Sequence, residues 1–230
     1  EAGLARVLDA HCPHLGAHLG HGGCVEKEAI ICPFHGWKFS GTGACSEVPY
    51  AGQVPRKAAL RSWPVHEADG MVWIHPHPRG EAPSFSLPRL AEAASEEWTP
   101  WLRSRWTIRT HVQETLENMV DAAHFLELHG HPGLPQTRVS AEGPVIRAHA
   151  VVKMRAPGER LVDGTIDWES VGMGCSILRI AGAMRTLCLS SATPIVEESV
   201  DLRFSFLMRK DGPPGLGEAV FRDILRQIEQ

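Results

Sequence analysis

The sequence lacks the charge blocks and long apolar runs that mark nucleic-acid-binding and membrane-spanning chains. Its 230 residues contain 23 Lys and Arg against 27 Asp and Glu, a formal net charge of -4. This balance argues against a nucleic-acid or anionic-membrane partner held by bulk charge. The most apolar stretch, 170–196, is interrupted by Arg179, Arg185 and several glycines, so it holds no clean span of about 20 residues. We expect strands there.

Internal repeats, low-complexity runs and a signal-peptide profile are also absent. The sequence starts at Glu1 without a Met, and we expect a piece of a longer protein that is truncated at both ends. Hydrophobic residues make up 43% of the chain, enough for a real core, which excludes a disordered tail or a disulfide-stapled miniature. We expect a cytoplasmic location for this part, with membrane contact only through missing segments.

The order of sequence patterns predicts an α+β fold with two domains, 1–78 and 79–230. Residues 1 to about 75 are rich in Gly, His and Cys with short alternating apolar runs, which predicts a small antiparallel β domain. Five prolines in 75–100 predict a linker. Beyond it we expect a helix over 110–129, strands over 144–209 and an amphipathic helix over 217–230.

The strongest motif lies in the first domain. Cys12-Pro-His14 and Cys32-Pro-Phe-His35 are separated by 17 residues, and each of the two loops supplies one thiolate and one imidazole. Four such ligands suit a tetrahedral zinc ion. They equally suit a Rieske [2Fe-2S] centre, in which two cysteines bind one iron and two histidines bind the other. The ligand types alone leave both sites open.

The other cysteines and histidines of this domain show no matching pattern. Cys24 and Cys45 lie outside both loops, and we expect them to pack as small hydrophobic thiols. Surface or hydrogen-bonded positions are expected for the remaining histidines: His11, His18, His21, His66, His75 and His77.

A second motif, Asp121-x2-His124-x4-His129, lies on the helix expected over 110–129. Two histidines and a carboxylate can hold a mononuclear Fe(II) with an open face, although two surface histidines on a helix would read the same way. His124 and His129 lie about 140° apart on an ideal helix, which predicts a distortion over 126–128. Asp121 is one turn before His124, where its carboxylate could hydrogen-bond the ring.

Three segments carry a resemblance to a known family. CPHLGAHLG, CPFHGWKF and the following GTGACSEVPY resemble the cluster loops and trailing turn of Rieske non-haem iron oxygenases. Together with ENMVDAAHF, they are most similar to the steroid- and sterol-acting branch, which includes 3-ketosteroid 9α-hydroxylases and cholesterol 7-desaturases of the Neverland type. The resemblance implies a Rieske domain followed by a helix-grip-like catalytic domain with an antiparallel sheet.

The resemblance also implies roles for particular residues. Cys12, His14, Cys32 and His35 would hold the cluster, and His124 and His129 the catalytic iron. Asp121 would be the catalytic bridging carboxylate that passes an electron from the cluster of a neighbouring subunit in a homotrimer. The third iron ligand would be an Asp on a C-terminal helix, placed beyond Gln230 or, two turns out of register, at Asp223.

The implied function is that of a terminal oxygenase. It would use O2 and electrons from NAD(P)H, delivered by a separate ferredoxin or flavin reductase, to hydroxylate or desaturate an apolar polycyclic substrate such as a steroid or sterol. A smaller aromatic or demethylation substrate is an alternative. From other classes, a Rieske electron-transfer protein would bind two irons and consume no O2, and a structural zinc domain would be colourless.

Overall fold

Two units organise the chain, residues 1–89 and residues 90–230. The computed structural model describes residues 3–128, 130–155 and 160–229. Antiparallel strands predominate in both units, and the helices lie in the second, which confirms the α+β expectation. No helix within these described ranges combines the length and apolar character needed to cross a bilayer.

The first unit consists of short antiparallel strands around a small core. Strands β2 to β5 form one sheet, β1 pairs with β6, and β7 pairs with β8. Phe39 is completely buried and packs with Trp37, Leu19 and Leu60. The strands are β1 (Val7–Leu8), β2 (Cys24–Glu26), β3 (Ala29–Ile31), β4 (Lys38–Ser40), β5 (Cys45–Glu47), β6 (Ser62–Trp63), β7 (Val65–Ala68) and β8 (Met71–Ile74).

The second unit is built on a seven-stranded antiparallel sheet in the order β10-β11-β12-β13-β14-β15-β9. The strands expected over 144–209 are therefore confirmed, whereas β9 and β10 were not anticipated. The elements are β9 (Leu102–Ile108), β10 (Gln136–Glu142), β11 (Val145–Arg155), β12 (Leu161–Val171), β13 (Cys175–Ala181), β14 (Thr186–Val196) and β15 (Ser199–Met208), with helices α1 (Val112–Glu117), α2 (Ala122–Glu127) and α3 (Leu216–Ile228).

The register of this sheet assigns side chains to two faces. Val139, Ala148, Trp168 and Leu178 lie opposite one another on adjacent strands and share what we call the inner face. Met119 and Phe125, from the helical segment, pack on this face at β11 and β12. The inner face therefore lies directly beneath the residues next to His124.

The helix expected over 110–129 is two helices in the structure, and that prediction was wrong. Asp121 has extended backbone angles (φ -75°, ψ 105°), and its carboxylate accepts a hydrogen bond from the Ala123 N–H, which makes it the N-cap of α2. The residues between Asn118 and Asp121 thus form a break. An Asp can either continue a helix or cap a new one, and here the cap is adopted.

Helix α3 confirms the amphipathic helix expected at the C-terminal end of the sequence. Its apolar residues recur at helical spacing and pack against Phe206, Met208 and Cys188 of the inner face. The helical residues in this contact are Leu216, Val220, Phe221, Ile224 and Ile228.

A buried carboxylate joins two strands on the other face of the sheet. Asp201 of β15 accepts hydrogen bonds from Arg203 at 2.7 Å and from Arg105 of β9 at 2.8 Å. Its side chain is 9% exposed, whereas both arginines are more than half exposed. Hydrogen bonds from Arg203, followed by those from Arg105, lower the pKa of Asp201 despite its burial.

We expect Asp201→Asn to reduce the free energy of unfolding by about 1–3 kcal/mol at pH 7, because two charge-assisted hydrogen bonds are weakened. Asp163→Asn, whose side chain is 77% exposed beside Lys153, is the matched control, with an expected loss under about 0.5 kcal/mol. Urea unfolding measures both values.

The Asp201 contribution should depend on pH. A carboxyl whose pKa is lower in the folded state stabilises the protein fully above its unfolded pKa, and the contribution is lost as pH falls through the folded pKa. The stabilities of wild type and Asp201→Asn should therefore begin to converge as pH falls below about 4, the unfolded pKa, and should meet only below the lower folded pKa. A constant difference from pH 7 to the acid limit would contradict this assignment.

Candidate metal centres

The two motif loops of the first unit close in the same way. In the first, the Cys12 N–H donates to Ala17 O and the Gly16 N–H to Cys12 O, both at 2.9 Å. In the second, Cys32 donates to Trp37 O and Gly36 to Cys32 O, at 2.9 and 3.0 Å. Both glycines have positive φ (75° and 71°), a conformation that a residue with a Cβ adopts only with strain. The repeated turn presents two similar ligand loops.

These loops bring the four predicted ligands together as two pairs. Cys12 and Cys32 are buried, at 2% and 3% exposure, and their thiols interact. The His14 and His35 rings have centroids 4.8 Å apart. Burial, with Cys32 adding to it, raises the pKa of the Cys12 thiol, whereas a bound metal favours the thiolate. A pair of sulfurs and a pair of imidazoles is the division that a Rieske cluster requires.

One orphaned atom shows that the residues present fit a metal cluster. His35 Nδ1 is buried and has no hydrogen-bond partner in the described ranges. Buried polar atoms are nearly always paired, and an unpaired ring nitrogen among Cys and His side chains has the chemistry of a metal ligand. The donor set and this atom agree with a [2Fe-2S] cluster at the two loops.

Trp37 and Tyr50 extend the pair of histidines into an assembly of four rings. Trp37 stacks on His14 with ring centroids 4.7 Å apart and planes inclined by 7°. Its indole N–H donates to the Tyr50 hydroxyl at 2.7 Å, and the Tyr50 ring meets His35 edge-on at 6.3 Å. Sequence reasoning did not single out these two residues, although Gly-Trp directly after His35 was a usable signal.

We expected Cys24 and Cys45 to be buried or semi-buried packing thiols, which is right for Cys45 and wrong for Cys24. Cys24 is exposed, and Cys45 packs against the first-unit core and donates to Glu47 O at 3.6 Å. Cys175 and Cys188 are buried in the second unit. Burial raises the pKa of Cys175 to about 12 and raises that of Cys188 as well.

In the second unit, His124 is the third residue of α2, and its side chain is buried. Its Nδ1–H donates to the main-chain oxygen of Asp121, which fixes the tautomer and assigns the metal-binding lone pair to Nε2. The predicted partner was the Asp121 carboxylate; that detail was wrong, because the carboxylate caps α2 instead.

His129 lies outside the described residues, so its relation to His124 stays a prediction. Helix α2 ends at Glu127, within the segment where we predicted a distortion. Asp223 lies on α3 with its side chain 54% exposed and ion-paired with Arg226. No three His, Cys, Asp or Glu side chains of the described ranges converge on one metal position.

His131 is a neighbour of His124 that sequence reasoning missed. Its main-chain N–H donates to Phe125 O at 2.9 Å, and its ring meets Phe125 edge-on at 5.4 Å. Its Nδ1 is buried and has no hydrogen-bond partner among the described residues. Burial, followed by the charge of His124, lowers the pKa of His131. Its position two residues after His129 in the sequence could have indicated that it lies near the predicted iron site.

Comparisons with known proteins agree with this geometry. Residues 1–64 match the Rieske [2Fe-2S] domain, and residues 72–229 match the 3-ketosteroid 9alpha-hydroxylase C-terminal domain. Dicamba monooxygenase bound to dicamba shares the fold, with a TM-score of 0.78 at 20% identity, over 96% of this chain and 70% of that one. The fold is that of a Rieske-type oxygenase.

Curated relatives place the chain within this class. An oxygenase component of 3-ketosteroid-9-alpha-monooxygenase from Rhodococcus rhodochrous is 40% identical over 126 residues, which is 54% of this chain and 32% of that protein. Cholesterol 7-desaturase nvd from Xenopus laevis is 42% identical over 133 residues, 57% and 29% respectively. The chain belongs to the 3-ketosteroid 9α-hydroxylase family of Rieske oxygenases, and it spans about a third of the length of these relatives.

Thiol labelling should separate the cysteines by burial. In the folded protein at pH 8 we expect iodoacetamide to modify Cys24 rapidly, and Cys175 and Cys188 only on unfolding, because their buried thiols stay protonated. Peptide mapping by mass spectrometry, with a urea-unfolded sample as control, measures each site. Rapid labelling of Cys188 in folded protein would contradict its burial.

Proposed function

We propose that this chain is the central part of a terminal oxygenase that oxidises a steroid or sterol with O2. The proposal depends on one observation: a single chain carries a two-loop Cys/His pair site and, in a unit of the 3-ketosteroid 9α-hydroxylase family, the His124 motif. An electron-transfer protein would need the first site alone.

Within this proposal, Cys12 and Cys32 would hold one iron of the cluster, and His14 and His35 the other. The cluster would supply single electrons. Trp37 stacks on His14 and holds the orientation of its ring, while Tyr50 accepts the Trp37 N–H and keeps that indole in place. The protein's own part is to fix the ligands and to tune them through such neighbours.

His124, His129 and a carboxylate would hold the mononuclear iron, which would supply O2 activation. Asp121 would have two roles. Its carbonyl orients the His124 ring, and its carboxylate, at the exposed start of α2, would lie on the electron path between protomers of a trimer. For the third iron ligand, we propose a carboxylate from a part of the protein C-terminal to Gln230 in preference to Asp223, whose side chain is ion-paired with Arg226.

The substrate class rests on the relatives and on the inner face. The two relatives are named for a 3-ketosteroid and for cholesterol, both large apolar polycyclic molecules. Beside His124, the inner face offers mostly apolar side chains, which bind such a molecule and exclude water. They are Ala148, Ala150, Val152, Ile166 and Leu178.

Electrons would come from NAD(P)H through a separate ferredoxin or flavin reductase. Hydroxylation needs two electrons and two protons for each O2, giving an alcohol and water. Desaturation uses the same two electrons and two protons, and the two hydrogen atoms that it removes from the substrate supply the other two of each, so that O2 gives two waters. Leu15, Phe34 and Tyr50, each more than 60% exposed around the His14 and His35 pair, offer an apolar docking surface for the reductase.

The function is tested with the full-length protein, reconstituted with iron and sulfide and supplied with a reductase and NADH. We expect three irons and two sulfides per chain, a Rieske EPR signal after dithionite, and O2 uptake dependent on a 3-ketosteroid or sterol. Mass spectrometry of the products would distinguish a gain of oxygen from a loss of two hydrogens.

Other results would contradict the proposal in distinct ways. Two irons without substrate-dependent O2 uptake would indicate an electron-transfer protein, and a colourless zinc protein would exclude the cluster. Uptake with small aromatic substrates alone would keep the class of enzyme and overturn the steroid assignment.

The role of the Asp121 carboxylate can be separated from helix capping. Asp121→Asn keeps a capping oxygen, so stability should change by less than about 0.5 kcal/mol, whereas Asp121→Ala should lose about 1 kcal/mol. Despite its normal stability, Asp121→Asn should slow cluster reoxidation at least tenfold in a single turnover with O2 and substrate, measured by stopped-flow absorbance.

Glu127→Gln, which removes an exposed carboxylate at the other end of α2, is the matched control and should reoxidise at the wild-type rate. A wild-type rate in Asp121→Asn would show that Asp121 acts as a helix cap and as a support for His124 alone.

A further inference from the structure

The inner face contains a buried hydrogen-bond donor, the indole N–H of Trp168, for which the described residues offer no acceptor. Trp168 of β12 is 4% exposed, and its indole Nε1 is buried without a hydrogen-bond partner among the residues that the structure describes. A buried donor without a partner loses its hydration and gains nothing in exchange, so such atoms are uncommon in native proteins. The position of this one therefore needs a physical explanation.

A buried hydroxyl on the same strand and the same face is paired. Ser170, two residues along β12, shares a hydrogen bond of 2.7 Å with Ser176 of the adjacent strand and also donates to the Met119 sulfur at 3.7 Å. The sheet thus satisfies a buried hydroxyl one row away from Trp168. The unpaired Trp168 indole therefore does not reflect a general lack of hydrogen bonds around Ser170.

Small and apolar neighbours surround the indole. Ala148 of β11 lies directly opposite Trp168 on one side and Leu178 of β13 on the other. Phe125, the residue after His124, packs against the same cluster. The alanine takes up little space beside the indole, and none of these three side chains can accept a strong hydrogen bond.

A second unpaired polar atom lies on this face. Within the described part of the chain, Thr137 Oγ1 of β10 is buried without a hydrogen-bond partner. Thr137 lies opposite Ala150, which belongs to the same inner-face cluster. Both unpaired atoms are thus on the side of the sheet that carries His124. A substrate bound on this face could supply partners for both atoms.

We propose that the Trp168 indole N–H donates a hydrogen bond to an oxygen of the substrate and so determines specificity. An indole N–H donates and cannot accept, so the substrate must present an acceptor, a ketone or a hydroxyl oxygen, on an otherwise apolar body. This inference rests on the proposed function and adds the feature of the substrate that is recognised. A site built to bond an oxygen discriminates strongly against an analogue that lacks it.

The test is a double-mutant cycle on binding, with the full-length protein carrying both metal centres and without electron supply. The probes are androst-4-ene-3,17-dione, the two corresponding mono-ketones, and the parent hydrocarbon androst-4-ene. Calorimetry or competition binding gives each Kd for wild type, Trp168→Phe and the control Trp106→Phe, which alters an indole on β9. Thermal unfolding verifies that each variant is folded.

For one of the two ketones, we expect its removal to weaken wild-type binding about tenfold, or about 1.4 kcal/mol, and Trp106→Phe to behave like wild type. Trp168→Phe should bind the compounds with and without that ketone equally. An equal loss in wild type and Trp168→Phe for both ketones would overturn the role of Trp168 while leaving the proposed function intact. Failure of wild type to bind any steroid would overturn the proposed function itself.

If Trp168→Phe does not fold, the unsubstituted protein still decides the question. The ultraviolet resonance Raman band that reports indole N–H hydrogen bonding is recorded with the diketone and with androst-4-ene, and the two are compared. A ligand-dependent shift to stronger hydrogen bonding with the diketone alone supports the proposal. Identical spectra with both ligands would overturn it.

Discussion

The antiparallel register of the seven-stranded sheet is the constraint on which the second unit depends. Each residue of β12 has a fixed partner on β11 and on β13, and a slip of one residue would exchange the two faces of the strand. The register places Ala148, Trp168 and Leu178 beneath the segment that carries His124. It also places Asp201 on the opposite face, where Arg105 and Arg203 neutralise it.

Main-chain hydrogen bonds position several of the side chains predicted to bind metal. In both cluster loops the cysteine N–H is tied to a carbonyl five residues later, and the Asp121 carbonyl orients the His124 ring. Main-chain hydrogen bonds of this kind depend on backbone geometry and tolerate a variety of side chains. Such a frame can keep its metal ligands in place while the surrounding surface changes.

Much of the fold and of the first site could be predicted from the sequence because their signals are local. The spacing of Cys12, His14, Cys32 and His35 defines two loops, and alternating apolar residues define β11 to β15. Strand β10 escaped prediction because QTRVSAE is polar and exposed at the edge of the sheet, without a clear alternation. Strand β9, LRSRWTI, does alternate, but it directly follows the proline-rich segment and was not distinguished from it.

Other features could not be predicted because they depend on contacts between distant residues. Whether Asp121 continues a helix or caps a new one is decided by small differences in free energy. The stacking of Trp37 on His14 needs the geometry of the loop. The unpaired state of Trp168 follows from which residues lie opposite it on two other strands, which local sequence does not contain.

The ring assembly at the cluster loops has a consequence for maturation. Turn hydrogen bonds and the stacked indole hold the thiols and imidazoles near one another through interactions that involve no metal. These contacts offset part of the conformational entropy lost when four ligands are gathered, so that metal–ligand bonds have less of it to offset.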